Sequence, residues 1–359
     1  MTNAAPPSTA EAPRRGTGLA RFLDAAHHRQ PDTTPVWFMR QAGRCLAEYR
    51  KLKESYKIME LAKTPELAAE ITLMPVTTFD VDAAVLFADI MLPLEKMGVD
   101  LDIRQGGPVI FNPVRSAADV ERLRVIEPEE DVPYVLDAIR RVRTALDGEK
   151  AVIGFSGSPF TLACYLIEGG PSREYGLAKS FMYAEPAAWH MLMEKLSATV
   201  ARYLVAQIEA GVHVVQLFDS WIGALSPADY TRYVAPHVAG IFAAVKETGT
   251  PAIHFGTGAA SLLDLMAAAG GDIISVDHRV MLDEAWARIG FERGIQGNLD
   301  ATRLLAGWEA IEDGTRDVLA RAGGRPGHIF NLGHGVLPET DPEQLKRLVS
   351  FVREEAVRL

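Results

Sequence analysis

The chain has 359 residues, of which 48% are hydrophobic and 23% are charged, so it is long enough to enclose a large core. Its net charge of −10 at pH 7 argues against a nucleic-acid partner, because such proteins carry a strongly basic surface. The two cysteines, Cys45 and Cys164, have neither C-x-x-C nor zinc-ligand spacing, which predicts free thiols in a cytoplasmic protein.

The first part of the chain differs in composition from the rest. Residues 1–17 are rich in Ala, Pro, Ser and Thr and lack the apolar segment of a signal peptide, so we expect a disordered tail. Residues 18–359 are expected to form one catalytic domain that begins with a short helix over 18–29. No apolar stretch reaches the roughly 20 residues that cross a bilayer, so no membrane partner is predicted.

Short apolar runs recur along this domain, separated by helical patterns. The predicted strands are 36–39, 83–87, 151–155, 214–218, 252–255, 273–276, 294–296 and 328–332. The predicted helices between and after them are 65–79, 132–147, 186–210, 227–248, 259–269, 283–289, 301–322 and 341–358. Strands that alternate with helices pair in parallel, and eight such units predict an α/β fold, a single (β/α)8 TIM barrel.

Two further features refine this fold prediction. Residues 100–114 alternate around Gly106-Gly107, which predicts a small β-hairpin inserted after the second strand. An open doubly wound sheet is the weaker alternative, because no G-x-G-x-x-G follows the first strand.

A (β/α)8 barrel places its chemistry at the carboxyl ends of its strands, and polar residues concentrate there in this sequence. The first strand leads into Arg40 and Arg44, two guanidiniums separated by Gly43 that suit a clamp for carboxylates or phosphates. The other strands lead to further polar candidates: Asp89, Ser156 and Tyr165, Asp219 and Ser220, His254, Asp277 and His278, Asn298 and Asp300, and Asn331 and His334.

Ordinary structural roles stay open for most of these side chains. They divide into loop hydrogen bonders (Asp277, Asn298), helix caps (Ser156, Asp300), core residues (His254, Tyr165) and a solvated face or subunit contact (His278, Arg279). Asp89 is the hardest to explain structurally, because a carboxylate deep in a barrel mouth is costly unless it is paired.

Missing motifs narrow the chemistry further. No lysine lies in any predicted strand or at its exit, which argues against a Schiff base. No His and Cys cluster has zinc-ligand spacing, so no metal site is predicted, and neither a G-x-S-x-G elbow nor a P-loop is present. The candidates that remain suit a polycarboxylate whose own structure supplies the reactivity.

Five blocks of the sequence resemble the uroporphyrinogen decarboxylase family. They are residues 35–50 with Met-Arg-Gln-Ala-Gly-Arg, 87–90 with Phe-Ala-Asp-Ile, 154–170 with Gly-Phe-Ser-Gly-Ser-Pro-Phe-Thr-Leu, 218–220 with Phe-Asp-Ser, and 331–335 with Asn-Leu-Gly-His-Gly. The similarity runs in order from about residue 22 to the C-terminus. The chain departs from the family pattern at Cys45, Ala47 and Pro171, positions that affect loop conformation and leave the charged positions intact.

The resemblance implies a homodimeric barrel that decarboxylates the four acetate side chains of uroporphyrinogen III to give coproporphyrinogen III in haem biosynthesis. It implies no cofactor. It also implies substrate contacts at Arg40, Gln41, Ala42, Gly43, Arg44, Ile58, Asp89, Tyr165, Ser220 and His334, with Asp89, Arg40, Tyr165 and His334 catalytic. Two rival functions stay open: a zinc- or cobalamin-linked methyltransferase of the related barrel group, and a tetrapyrrole-binding protein without activity.

Overall fold

Seven parallel strands form one sheet in the computed structural model of the chain, which describes residues 13–43, 45–104 and 106–358. The strands of the described chain are β1 (Ala83–Val85), β2 (Leu101–Arg104), β3 (Gly107–Ile110), β4 (Ala151–Gly157), β5 (Val214–Asp219), β6 (Ala252–Gly256), β7 (Ile273–Val276), β8 (Gly294–Leu299) and β9 (His328–Leu332). The large sheet has the order β1-β4-β5-β6-β7-β8-β9, with each neighbouring pair parallel.

Helices connect the strands. They are α1 (Gly18–Ala26), α2 (Ala47–Ser55), α3 (Ile58–Lys63), α4 (Pro65–Phe79), α5 (Leu92–Lys96), α6 (Ala117–Arg122), α7 (Pro128–Asp131), α8 (Pro133–Leu146), α9 (Pro159–Glu168), α10 (Gly176–Ala184), α11 (Pro186–Ala210), α12 (Pro227–Tyr233), α13 (Ala235–Glu247), α14 (Leu263–Ala269), α15 (Leu282–Ile289), α16 (Trp308–Ala322) and α17 (Pro342–Ala356). Short 3₁₀ turns precede several of them, at Ile222–Ala224, Ala260–Leu262 and Ala301–Leu305. None of these helices has both the length and the apolar character needed to cross a membrane.

The segment at 36–39 fills the position between β9 and β1. Val36 forms a parallel bridge with Phe330 of β9, and the Trp37 amide donates to the Phe330 carbonyl at 3.3 Å. On its other side, the Asp82 amide donates to the Val36 carbonyl at 2.8 Å. The fold is therefore a (β/α)8 barrel, as predicted. The first strand position in the chain is occupied by a single β-bridge, at Val36.

The prediction of a regular strand over 36–39 is wrong, because side chains replace the missing ladder bonds. The Phe38 amide donates to Oε1 of Gln41 at 2.9 Å, and the Met39 amide donates to Oδ1 of Asn331 at 3.1 Å. These bonds satisfy buried backbone donors without a partner strand. The segment is thus free to turn directly after Met39.

A buried amide network inside the barrel fixes the same segment. The indole N–H of Trp37 donates to Oε1 of Gln296 at 2.9 Å, and Nε2 of Gln296 donates to Gln216 at 3.1 Å and to Ser275 at 2.9 Å. All four side chains are almost fully buried. Since each bond links a different part of the barrel wall, the network ties the 36–39 segment to β5, β7 and β8.

Most predicted element bounds agree with the structure to within a few residues, and two helix predictions are wrong in one respect. The helix predicted over 227–248 breaks at Val234, because Pro236 has no N–H to continue the hydrogen-bond pattern. The helix predicted over 301–322 breaks at Gly307, whose φ is +95°. The short helices α2, α3, α5, α6, α7 and α10 were not predicted.

The inserted segment after β1 contains the antiparallel pair β2–β3, in which Leu101 lies opposite Ile110. It packs against the end of α9, where the Ile110 amide donates to the Gly169 carbonyl at 2.9 Å. The Val114 amide donates to the Leu166 carbonyl at 3.0 Å. The insertion therefore supports the helix that carries Tyr165.

Residues 1–12 of the predicted tail lie outside the described residues. The remainder of that segment leads into α1, where the Thr17 hydroxyl accepts a hydrogen bond from the Ala20 amide at 3.1 Å. Arg14 forms an ion pair with Glu149 at 2.7 Å.

Candidate active site

The predicted site residues converge on one end of the barrel. Asp89 follows β1, Tyr165 lies on α9 after β4, Ser220 follows β5, and His334 follows β9. Arg40 follows the closing segment at 36–39. Because the strands are parallel, their carboxyl ends form one mouth, and all five side chains belong to it.

Arg40 is an exposed residue with a left-handed backbone, φ +59°. Such a conformation is unfavourable for a residue with a side chain and needs support from its surroundings. Gln41 provides this support: its buried side chain accepts from the Phe38 amide at 2.9 Å and donates to the Ala83 carbonyl at 2.8 Å. The amide of Gln41 is thus used within the protein, and a contact between this side chain and a substrate stays a prediction.

The neighbours of Gln41 complete the first predicted block. Ala42 and Gly43 are half-buried in the same loop, and Ile58 is half-buried at the start of α3. Arg44 lies outside the described residues.

Asp89 is held by the loop that follows β1. Its Oδ1 accepts a hydrogen bond from the Met91 amide at 2.9 Å. Burial raises the pKa of its carboxyl group above the usual range, although the Met91 hydrogen bond and the positive charge of Arg40 act in the opposite direction. Asp89 and Arg40, both of which the structure describes, form no ion pair, so a structural salt bridge between them is excluded.

Tyr165 is part of an aromatic stack that sequence analysis did not predict. Its ring centroid lies 4.1 Å from that of Trp221 with an interplanar angle of 37°, and Tyr175 contacts the same indole at 4.9 Å. Burial and the negative charge of Asp89 raise the pKa of Tyr165 to about 12. Tyr165 is therefore a neutral phenol at pH 7 that is able to donate a hydrogen bond. The sequence offered one signal for Trp221, its position directly after Ser220.

Asp219 lies behind the mouth at the end of β5. It is fully buried, and its Oδ1 accepts a hydrogen bond from the Thr161 hydroxyl at 3.1 Å. Burial raises the pKa of this carboxyl group to about 7. Thr161 lies one turn before Tyr165 in α9, so Asp219 links the end of β5 to the helix that positions Tyr165. Ser220 is half-buried beside it, and its carbonyl accepts a hydrogen bond from the Thr257 hydroxyl.

His334 lies between two glycines that allow close contacts on both sides. A Cβ atom on Gly333 would lie 2.9 Å from Cβ of His278, and one on Gly335 would lie 2.7 Å from Cγ of Arg40. Desolvation and the positive charges of Arg40 and Arg279, with His278 beside them, lower the pKa of the His334 imidazole. His334 is therefore neutral at pH 7 and is part of a cluster with these three residues.

The remaining candidates have structural roles. Loop hydrogen bonding is confirmed for Asp277 and Asn298, since Asp277 accepts from the Gly258 amide at 2.6 Å and Asn298 donates to the Asp277 carbonyl at 2.9 Å. Asp300 caps the 3₁₀ turn after β8, also as predicted, through the Thr302 amide at 2.9 Å.

Two other candidates lie in the barrel wall. The prediction of a helix cap is wrong for Ser156, because this residue lies inside β4 and its hydroxyl donates to the Gly157 carbonyl at 3.2 Å. His254 is a core residue packed 5.0 Å from the ring of Phe242, and burial lowers its pKa to about 4.

The thiols of the chain are both buried and unpaired. Burial raises the pKa of Cys45 to about 11 and that of Cys164 well above its usual value, so neither is a thiolate at pH 7. Within the part of the chain that the structure describes, no three His, Cys, Asp or Glu residues are grouped so that they could hold a metal ion. The described residues therefore offer neither a thiolate nor a group of metal ligands to the mouth.

The sequence is similar to one protein family along almost its whole length. The family model for uroporphyrinogen decarboxylase (URO-D) matches residues 17–355. The uroporphyrinogen decarboxylase of Carboxydothermus hydrogenoformans is 54% identical over 334 residues, which cover 93% of this chain and 95% of that protein. The uroporphyrinogen decarboxylase of Streptomyces coelicolor is 52% identical and covers 98% of this chain and 99% of its own.

Among solved structures, a methyltransferase from Methanosarcina mazei has a TM-score of 0.78 to this chain. It covers 94% of this chain and 99% of its own length at 22% sequence identity. A B12-independent methionine synthase from Shewanella has a TM-score of 0.54 at 13% identity. At these identities the likeness shows that the barrel fold is shared.

Proposed function

The chain belongs to the uroporphyrinogen decarboxylase family, and from this premise we propose that it converts uroporphyrinogen III to coproporphyrinogen III in haem biosynthesis. It removes the carboxyl groups of the four acetate side chains and needs no cofactor. The observation that supports the proposal best is Asp89, a partly buried carboxyl group at the barrel mouth that has no ion pair with the nearby Arg40.

The chemistry requires a place for the electron pair of the broken C–C bond. Protonation of the pyrrole carbon next to the acetate makes the ring cationic, and the ring then accepts these electrons as CO2 leaves. A second proton converts the resulting exocyclic methylene carbon into a methyl group, and the ring carbon then releases the first proton, which restores the neutral pyrrole. Each decarboxylation therefore consumes one proton overall and releases one CO2. Other decarboxylases obtain such an electron sink from a cofactor, whereas this substrate contains its own.

Asp89 is proposed to stabilise the cationic ring. Its carboxylate can accept hydrogen bonds from the pyrrole N–H groups at the centre of the macrocycle. A fixed negative charge acts most strongly on a developing positive charge when the site is shielded from water. The half-buried position of Asp89 and the absence of an ion pair with Arg40 leave its charge available for this role.

The other residues of the mouth are proposed to bind and orient carboxylates. Arg40 suits a carboxylate of the substrate because its guanidinium offers a bidentate donor. It is a poor proton donor at neutral pH, because an arginine pKa is about 12 or higher. The neutral donors Tyr165, Ser220 and His334 are suited to orienting the reacting acetate. Further contacts, implied by the family resemblance, are Gln41, Ala42, Gly43, Arg44 and Ile58.

We also propose that the protein is a cytoplasmic homodimer. Two buried, unpaired cysteines support a reducing compartment. A chain with a net charge of −10 repels a polyanionic substrate at long range, so the site needs positive charge concentrated locally. A second subunit over the mouth would shield the site and strengthen that local field.

The test is an anaerobic incubation of the purified protein with reduced uroporphyrinogen III, followed by chromatography of the oxidised products. We expect stepwise loss of carboxyl groups that ends at coproporphyrin, in a chelator-treated sample as well. Tight binding without any conversion would instead identify a tetrapyrrole-binding protein. Methyl transfer that requires cobalamin or zinc would identify the methyltransferase alternative.

A further inference from the structure

The loop after β7 presents a second arginine at the barrel mouth. Asp277, His278 and Arg279 follow Val276, the last residue of β7. The side chain of Arg279 is 62% exposed. Its Nη1 lies next to Gly258: a Cβ atom built on that glycine would be 3.5 Å from Nη1. Since Gly258 follows β6, Arg279 spans the ends of two neighbouring strands on the mouth side.

Asp277 holds this guanidinium through one of its five N–H donors. Oδ2 of Asp277 accepts from Nη1 of Arg279 at 3.2 Å and from the Gly258 amide at 2.6 Å. Oδ1 accepts from the Arg279 backbone amide at 3.0 Å. The carboxylate therefore accepts three hydrogen bonds, whereas four of the five N–H donors of the guanidinium have no bond to it.

His334 connects this arginine to the part of the mouth that holds Arg40. The glycines on either side of His334 contact His278 and the stem of Arg40, as described above. Arg40, His278 and Arg279 all lower the pKa of the His334 imidazole, and Asp277 acts in the opposite direction. The four side chains thus form a continuous arc of cationic and neutral donors, which we call the basic arc. The acidic group nearest to His278 is Asp300, whose Oδ2 lies 3.9 Å from Nε2.

We propose that Arg279, with His278 beside it, forms a second carboxylate-binding site that holds a propionate of the bound tetrapyrrole. This proposal rests on the proposed function, because it concerns the same mouth and the same substrate. A macrocycle that carries carboxylates around its whole edge needs cationic partners on more than one side. The propionates survive the reaction, so a partner for them contributes to binding of both substrate and product.

The experiment compares Arg279→Gln with wild type in anaerobic steady-state kinetics and in equilibrium binding of coproporphyrinogen III. We expect the KM for uroporphyrinogen and the Kd for coproporphyrinogen to rise together by about five- to tenfold, because one charge-assisted and partly exposed contact is lost. We expect kcat to change by less than about twofold, since the site holds a carboxylate that does not react. Arg279→Lys should recover part of the loss, because it keeps the charge but lacks the fork.

Arg122→Gln is the matched control. Arg122 is 69% exposed and is paired with Asp119 on α6, so the substitution removes the same charge from a similar ion pair. It should leave both constants unchanged. Equal effects of the two substitutions would mean that only the net charge of the protein affects binding, and would overturn the proposed carboxylate-binding site.

Two further outcomes would also overturn the proposal. An unchanged Kd for coproporphyrinogen beside a raised KM would mean that the residue holds an acetate and not a propionate. A lowered kcat or a large loss of thermal stability, with unchanged binding, would mean that Arg279 has a structural role. If the wild-type protein binds coproporphyrinogen but does not decarboxylate uroporphyrinogen, the proposed function fails, and the binding comparison still tests this site.

Discussion

At the scale of single residues, Asp89 allows catalytic and structural roles to be separated. Its pKa is raised, so in the folded protein it binds a proton more tightly than in the unfolded chain. The stability linked to this group is then present at low pH and is lost as pH rises through the folded-state pKa. Above that pKa the ionised carboxylate is therefore a cost to folding.

The first prediction follows for Asp89→Asn. Its thermal stability at pH 7 should equal or exceed that of wild type, because the buried charge is removed, while kcat should fall by about 10²–10³. Asp89→Glu should keep more activity, since the charge is retained. The measurement is kcat beside thermal unfolding and product binding. Wild-type turnover in Asp89→Asn, or an unstable protein, would make Asp89 structural.

The second prediction concerns Arg40. Arg40→Ala should reduce kcat/KM by about 10- to 100-fold, because an exposed guanidinium at the mouth contributes less than a buried one. Arg40→Lys should recover activity poorly, because lysine cannot form a bidentate contact. Steady-state kinetics with uroporphyrinogen provide the check, and near-normal values for the lysine variant would show that the substrate lies elsewhere.

The third prediction is that Trp221 positions Tyr165. Trp221→Ala should lower kcat more than it raises KM, because the indole 4.1 Å from the Tyr165 ring is lost and the phenol can move. Trp221→Phe should restore most of kcat, since a smaller ring still stacks. Substrate binding should also quench Trp221 fluorescence, and the alanine variant should lose that change in emission. Equal kcat in all three proteins would contradict this role.

At the scale of elements, the segment 36–41 depends on side chains instead of a strand ladder. The fourth prediction is that Gln41→Ala destabilises the protein by about 1–3 kcal/mol, because the Phe38 amide and the Ala83 carbonyl lose buried partners. Activity should fall as well, since the left-handed conformation of Arg40 loses its support. Chemical denaturation measures the stability change. Lost activity with full stability would instead favour a direct contact between Gln41 and the substrate.

At the scale of the whole molecule, the barrel fold is shared with a methyltransferase of known structure, whereas the sequence matches the uroporphyrinogen decarboxylase family. The fifth prediction is that activity does not depend on metal. The buried thiols are protonated at pH 7 and provide no thiolate ligands, so treatment with a chelator should leave the rate unchanged. Loss of activity that zinc restores would contradict it. The control is the same protein without chelator, analysed for its metal content.

Much of this molecule was determined by local sequence patterns. The alternation of apolar runs with helical segments was sufficient to predict the barrel, because the period of a strand or helix depends on neighbouring residues. The position of four side chains at the barrel mouth was also predictable, since parallel strands must bring their carboxyl ends to one end of the barrel. These side chains are Asp89, Tyr165, Ser220 and His334. The same argument predicted that Arg40 lies at the mouth, but it did not predict the left-handed backbone conformation of this residue.

Only the tertiary structure decided which side chains meet. The run at 36–39 has a strand-like composition, yet Gln41 and Asn331 take over its backbone bonds once the barrel closes. The stack of Trp221 on Tyr165 joins residues that are distant in sequence. Such contacts depend on how closely separate segments approach, and that distance is set by packing of the whole barrel, which no local pattern of residues encodes.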